Sequence, residues 1–298
     1  MQKDHSGQSD LSIIILNYKG RLWLEKLLPS LRKNYLERSG YFVDVVVVDN
    51  DSSDDSIDYI RSLEWIKLIE TGKNGGYAFG NNVALKEAKA RYVMLLNSDT
   101  EIPETGGDLD LLIRYMDGNE NAGIITPRLN LENGAMDPAC HRGEPTPWAS
   151  IAYFLKLEKL FSKSETFAKY HQKYKNLKEI HTIDACTGAA MLVRKSAMDK
   201  VGLLDERFFM YAEDLDWCKR FRENGFNIIF YPDVNIIHHK YKSGILNKDD
   251  EMRSKTRIWF YKTMLLYYDK HYASIYPKFF RWFLKACIKS KTGNQGNN

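Results

Sequence analysis

Cysteine is scarce in this chain. Four stand among 298 residues, at positions 140, 186, 218 and 287, and no two have the paired spacing of a zinc site. Reduced, structural thiols are therefore expected. Long apolar runs are missing as well. No stretch approaches the ~20 consecutive apolar residues that span a bilayer, and the first ten residues, MQKDHSGQSD, lack the apolar heart of a signal peptide. The expectation is a cytoplasmic protein. Residues 1–10 read as disordered, as does the polar terminus Thr292–Asn298. No internal repeat is present. Nor does a glycine-rich loop follow the first apolar run, where Asn17-Tyr18-Lys19-Gly20 stands instead. That excludes a G-x-G-x-x-G dinucleotide-dependent oxidoreductase.

What is present is an ordinary globular composition, 44% hydrophobic and 28% charged, long enough for one large α/β domain or two small ones. The net charge of +4 hides an asymmetry. Residues 240–298 hold 13 Lys and Arg against 4 Asp and Glu, whereas residues 1–239 hold 30 against 35. The basic end is also aromatic, with Trp259, Phe260, Tyr261, Tyr267, Tyr268, Tyr272, Tyr276, Phe279, Phe280, Trp282 and Phe283. Basic plus aromatic suits an anionic membrane surface. Nucleic acid is the weakest option and is not expected. The plain alternative is a helical segment, 241–291, packed on the core with a solvated basic face.

The centre of the chain is Tyr92–Glu101, YVMLLNSDTE. Its apolar run reads as a strand buried on both faces, and it stops abruptly at Asn97-Ser98-Asp99-Thr100. Around it, strand-like runs at Leu11–Leu16, Phe42–Val48, Ile66–Ile69 and Gly123–Thr126 alternate with helical spacing from Leu22 to about Asn34, from a cap at Ser53 or Asp54 to Leu63, over Tyr77–Ala88 and over Asp108–Asn119. This alternation predicts a mainly parallel central sheet flanked by helices, an α/β fold. The polar clusters fall at strand ends, at Asn17, Asp49–Asp54 and Asn97–Asp99. Open α/β sheets bind ligands at that edge. A carboxylate there, read as Asp99, suits a divalent cation that carries phosphates.

Pro138, Pro145 and Pro147 make 130–185 irregular, with a helical excursion expected over Ala152–Lys178. Ala189–Val193 reads as a strand, and Gly202–Trp217 (GLLDERFFMYAEDLDW) places Glu213 and Asp214 in the first turn of a helix that ends near Gly225. A carboxylate there, shielded by Phe208-Phe209-Met210-Tyr211, could accept a proton. Strands at Asn227–Tyr231 and Val234–His239 follow. His238 and His239 then point opposite ways, and one of them could face a metal.

Taken together, SIIILNY at 12–18, VVVVDNDSSDDS at 45–56, NGGYAFGNN at 74–82, LLNSDT at 95–100, TGAAMLVRK at 187–195, GLLDERFFMYAEDLDWCKR at 202–220 and YPDVNIIHH at 231–239 resemble the inverting family 2 glycosyltransferases, and most closely bacterial rhamnosyltransferase-like members. The resemblance implies the GT-A fold over 11–240 and covers 130–185 only loosely; that irregular or helical insertion is open to a lid or an acceptor-facing role. It assigns the nucleotide and donor sugar to Leu16, Asn17, Tyr18, Asp49, Asn50, Ser52, Asn74, Gly76, Asn81, Asn97, Ser98, Thr187, Gly188 and Ala189. It makes Asp99 and His238 the ligands of Mg2+ or Mn2+, with Asn97 in the first place of an Asp-x-Asp signature. Asp214 becomes the catalytic base, with Glu213, Asp216 and Trp217 on the acceptor side. The implied activity is transfer of a sugar from a dTDP- or UDP-sugar, dTDP-rhamnose among them, to a glycan or lipid-linked acceptor at the inner membrane face. Two other readings stay open: a catalytically inactive nucleotide-sugar or glycan-binding module, and a sugar-1-phosphate nucleotidyltransferase, which wants the glycine-rich loop this chain lacks.

Overall fold

The computed structural model describes residues 8–240 and 250–292. Apart from residues 8–10 and Thr292, the termini expected to be disordered lie outside these residues, as do 241–249. In chain order the strands are β1 (Leu11–Asn17), β2 (Val43–Asp49), β3 (Lys67–Glu70), β4 (Tyr92–Asn97), β5 (Thr100–Glu101), β6 (Ala122–Leu131), β7 (His181–Ile183), β8 (Ala190–Arg194) and β9 (Asn227–His238). The helices are α1 (Arg21–Leu31), α2 (Ser56–Arg61), α3 (Gly76–Glu87), α4 (Asp110–Gly118), α5 (Pro147–Phe154), α6 (Leu157–Leu160), α7 (Lys195–Val201), α8 (Glu213–Glu223), α9 (Asp250–His271) and α10 (Lys278–Thr292).

One sheet runs β3-β2-β1-β4-β8-β6-β9-β5, with β7 beside β9. Its β3-β2-β1-β4 half is parallel, β6 and β9 are parallel to each other, and β8 runs antiparallel between the two groups. The parallel register matters for function. Asn17 lies opposite Asp49, and Leu16 lies opposite Asn97, so three strands deliver their polar ends to one edge. Val45–Val48, Ile13–Ile15 and Val93–Leu96 are buried on both faces, as the unbroken β-branched and leucine runs require.

Several boundaries differ from expectation. α1 gives way at Leu31 to a π-helical turn, Arg32–Leu36. α2 starts only at Ser56, whose N–H donates to the Asp54 carboxylate at 3.3 Å. The two strands expected around Pro232 are one, because the β6–β9 register shifts between Pro127 and Arg128, and an irregularity is where a strand tolerates proline. The helical excursion expected over Ala152–Lys178 is only two short helices followed by turns. Lys156, at φ 59°, breaks one helix from the next. Among the described residues no helix is long and apolar enough to cross a membrane.

Candidate functional site

At the sheet edge the strand-end residues hold one another. The Asn17 amide donates to Asp49 at 2.7 Å and to the Ser52 hydroxyl at 3.2 Å, while Asp49 accepts from the Ser52 N–H at 2.8 Å. Asn50 donates to the Asn74 side chain at 3.0 Å and to the Gly76 carbonyl at 3.2 Å. Asn81 donates back to the Tyr77 carbonyl. The turn before α3 is therefore pinned to the end of β2. Gly76 is required there: φ is +86°, and a Cβ would stand 2.2 Å from the Phe209 carbonyl oxygen, which accepts from the Tyr77 N–H at 2.8 Å. Leu16 packs where a Cβ on Gly80 would fall, and Tyr18 stands exposed at the mouth. Thr187, Gly188 and Ala189 line the same edge. The Tyr77 hydroxyl donates to the Gly188 carbonyl, and the Asn97 N–H donates to the Ala189 carbonyl.

Asp99 and His238 meet. β5 pairs antiparallel with β9, Thr100 opposite His238, and His238 Nε2 lies 3.4 Å from Asp99 Oδ1. Ser98 stands half-buried beside them. The other ring nitrogen, Nδ1, is 2.9 Å from Asp137 Oδ2. Asp137 is fully buried and also accepts from Lys240. Burial opposes ionisation of both partners, but the hydrogen bonds to Asp137 and Asp99 raise His238 to about 9, and His238 and Lys240 hold Asp137 well below the usual carboxylate range. By accepting from Nδ1–H, Asp137 fixes the ring so that Nε2 faces Asp99, where it would have to give up its proton to ligate an ion. Asp137 was not singled out from sequence. Its one local sign is the Asp-Pro step before a short 3-10 turn, Pro138–Cys140, which it caps. His239 points the other way, stacks on Trp23 and bonds Glu101 and Glu132. Among the described residues no three His, Cys, Asp or Glu side chains gather as a metal cage. The Asp99–His238 pair fits an ion that takes its other ligands from phosphates and water.

α8 brings the third component. It is entered through two successive left-handed residues, Tyr211 at φ 71° and Ala212 at φ 65°, a strained turn of the kind kept at functional sites. Asp214 Oδ2 lies 2.6 Å from Arg142, each side chain only about a tenth exposed, and Asp214 Oδ1 accepts from the Leu215 N–H at 2.7 Å. Arg142 also donates to the Cys186 carbonyl at 2.7 Å. No signal in the sequence marks Arg142. Glu213 is buried, its Oε2 has no hydrogen-bond partner, and burial together with the Asp214 charge pushes its carboxyl up to about 8. Tyr77 ties the parts together. Its hydroxyl donates to the Gly188 carbonyl, and the same 186–189 segment accepts from the Asn97 N–H and from Arg142, the partner of Asp214, so the base helix, the donor turn and the metal edge meet on one segment.

Two expected acceptor-side residues do not face that cleft. Asp216 is fully buried and binds Arg220 at 2.9 Å, Lys270 at 2.5 Å and His271 at 2.7 Å. Trp217 is a core residue whose indole N–H donates to the Gly202 carbonyl. A rotation of 200° turns Asp216 away from Asp214, whereas Trp217, only about 60° from Asp214, is sunk in the core. A separate concavity of about 550 Å3, lined by Glu144, Trp148, Lys169, Asp184 and Arg222 among others, shares no residue with this cleft.

Comparison with known proteins bears on the family and the fold. The family described as "Glycosyl transferase family 2" matches residues 12–202. The low-salt glycan biosynthesis hexosyltransferase Agl10 of Haloferax volcanii is 32% identical over 237 residues, 78% of this chain and 67% of that protein. The N-acetylglucosaminyl-diphospho-decaprenol L-rhamnosyltransferase of Mycobacterium tuberculosis is 26% identical over 242 residues, 77% of this chain and 76% of that protein. Among solved structures, the mannosyltransferase PcManGT of Pyrobaculum calidifontis, in complex with GDP-Man and Mn2+, superposes with a TM-score of 0.56 at 16% identity, over 97% of this chain and 72% of that one. It shares the fold.

Proposed function

The chain belongs to glycosyl transferase family 2 and has the GT-A fold; on that basis we propose that it is a metal-dependent, inverting enzyme that moves a sugar from a nucleoside diphosphate sugar to an acceptor hydroxyl. The observation that carries this reading is that the 186–189 segment accepts hydrogen bonds from Tyr77 of the donor turn, from Asn97 at the metal edge and from Arg142, which holds Asp214. Asp99 and His238 would hold a Mg2+ or Mn2+ ion, which when bound offsets the negative charge that develops on the departing diphosphate. Asn17, Asp49, Asn50, Ser52, Asn74, Gly76 and Asn81 form the cradle for the nucleotide, and 187–189 flank the sugar.

Asp214 takes the proton of the acceptor hydroxyl as its oxygen attacks the anomeric carbon. The bond to the diphosphate breaks on the opposite face, and the diphosphate leaves with the electron pair. One displacement inverts the centre. Arg142 and the Leu215 N–H fix the orientation of Asp214. No carboxylic acid is needed to protonate the leaving group, in contrast to a glycosidase. The names of the two relatives favour a hexose or rhamnose as the transferred sugar, and that of the mycobacterial relative favours a lipid-linked acceptor; dTDP-rhamnose is the first donor to try. Such an acceptor places the work at the inner membrane face.

Purified protein is screened with dTDP- and UDP-sugars and Mn2+ for nucleoside diphosphate release and for transfer. A donor turned over with metal, and a loss of about 10²–10⁴-fold in kcat for Asp214→Asn, support the assignment. Donor binding with neither transfer nor slow hydrolysis identifies an inactive binding module instead.

A further inference from the structure

α9 and α10 form a helical hairpin whose two sides differ. The inner side is anchored. Phe280 and Leu284 of α10 pack with Tyr268 of α9 and with Tyr272 just beyond its end, and Arg281 forms a two-point ion pair with Asp269 at 2.6 and 2.7 Å. α9 in turn stacks Trp259 on Phe209 and plants Lys270 and His271 on the buried Asp216. The outer side is bare. Ile275 is 68% exposed, Phe279 62% and Trp282 72%. Lys278, Lys285 and Lys289 are exposed alongside them. At 100° per residue, 278, 282, 285 and 289 fall on one stripe of α10, with Phe279 at its margin. The helix KFFRWFLKACIKSKT contains no acidic residue, and its one arginine is committed to Asp269.

From this face we propose that the protein docks on a bilayer rich in anionic lipid, with α10 lying in the interfacial plane. Trp282, Phe279 and Ile275 enter the headgroup layer, while Lys278, Lys285 and Lys289 contact phosphates. Charge complementarity selects this occupant. A second copy meeting the same face about a two-fold axis would oppose three lysines with three lysines. A helix of 15 residues, roughly 22 Å long, is too short to span and of a length to lie flat. The inference goes beyond sugar transfer, since it needs neither donor, metal nor acceptor.

The test is co-sedimentation of the full chain with vesicles of phosphatidylcholine alone or mixed with phosphatidylglycerol, with no nucleotide sugar present. Binding is expected only to the mixed vesicles, and it should weaken with salt. Phe279→Ala with Trp282→Ala lowers partitioning about tenfold or more, and each of Lys278→Glu, Lys285→Glu and Lys289→Glu lowers it about fivefold or more. These side chains are largely solvent-exposed, so circular dichroism and melting should stay as in the wild type. Equal binding to both vesicle types, no binding to either, or variants that partition like the wild type overturn the proposal. So does a wild-type dimer that the Phe279/Trp282 variant dissolves, which would assign the face to a second copy. Because the readout is lipid alone, failed transfer activity leaves it standing, and failed lipid binding leaves the transferase reading standing.

Discussion

Replacing Arg142 by Met tests whether a buried cation supports and orients the proposed base. The guanidinium and the Asp214 carboxylate are 2.6 Å apart and about nine-tenths covered. Removing one partner of such a pair costs about 3–5 kcal/mol, because the remaining charge is buried without compensation. Urea or thermal melts should show a loss of about 3 kcal/mol or more, and kcat should fall as Asp214 loses the partner that orients it. Arg142→Lys should fall between, since an ammonium keeps the charge but not the fork that also reaches the Cys186 carbonyl. The double variant Arg142→Met, Asp214→Leu removes both charges, so its stability should return most of the way to wild type while transfer stays lost. If Arg142→Met melts like the wild type and turns over at the wild-type rate, the pair neither supports the helix nor orients the base, and the reasoning fails.

Three other perturbations address the remaining parts of the cleft. Asp137→Asn replaces the charged acceptor that fixes His238 by a neutral amide and should weaken Mn2+ affinity about 10–100-fold, read by titrating Mn2+ against its electron spin resonance signal; unchanged affinity would separate His238 from the metal. Glu213 rises from 4.5 to about 8 through burial and the Asp214 charge, so the folded chain keeps a proton that the unfolded chain releases above 4.5. Stability therefore declines as pH climbs from about 4.5 through about 8, and Glu213→Gln should flatten that decline in melts across the window; parallel curves for the two proteins would count against it. Gly76→Ala forces a Cβ into a left-handed residue against the Phe209 carbonyl, which should destabilise by about 1–3 kcal/mol and raise the donor KM; a neutral substitution would mean that the turn yields freely.

What could be read from the sequence, and what could not, follows from the range of the forces involved. Asn17, Asp49 and Asn97 were legible because unbroken runs such as VVVV and VMLL mark strands buried on both faces, and right-handed parallel connections send such strands to the same edge. Arg142 and Asp137 were not. They lie in a stretch without periodicity, and their partners stand 72 and 101 residues away, so only the folded chain brings them to Asp214 and His238. Asp216 was misread for a different reason. In the first turn of α8, Glu213, Asp214 and Asp216 look alike as a string of acids, yet 200° of rotation separates Asp214 from Asp216. That rotation divides the labour within EDLD: Asp214 faces the cleft, while Asp216 receives Lys270 and His271 from α9. The basic aromatic end was offered as either a membrane-facing segment or a helix packed on the core, and the hairpin shows why those are not exclusive. The same helices that carry exposed lysines and Trp282 outward also press tyrosines and a histidine onto the helix that bears the base. Substitutions at Asp216 should therefore alter stability and the seating of α9.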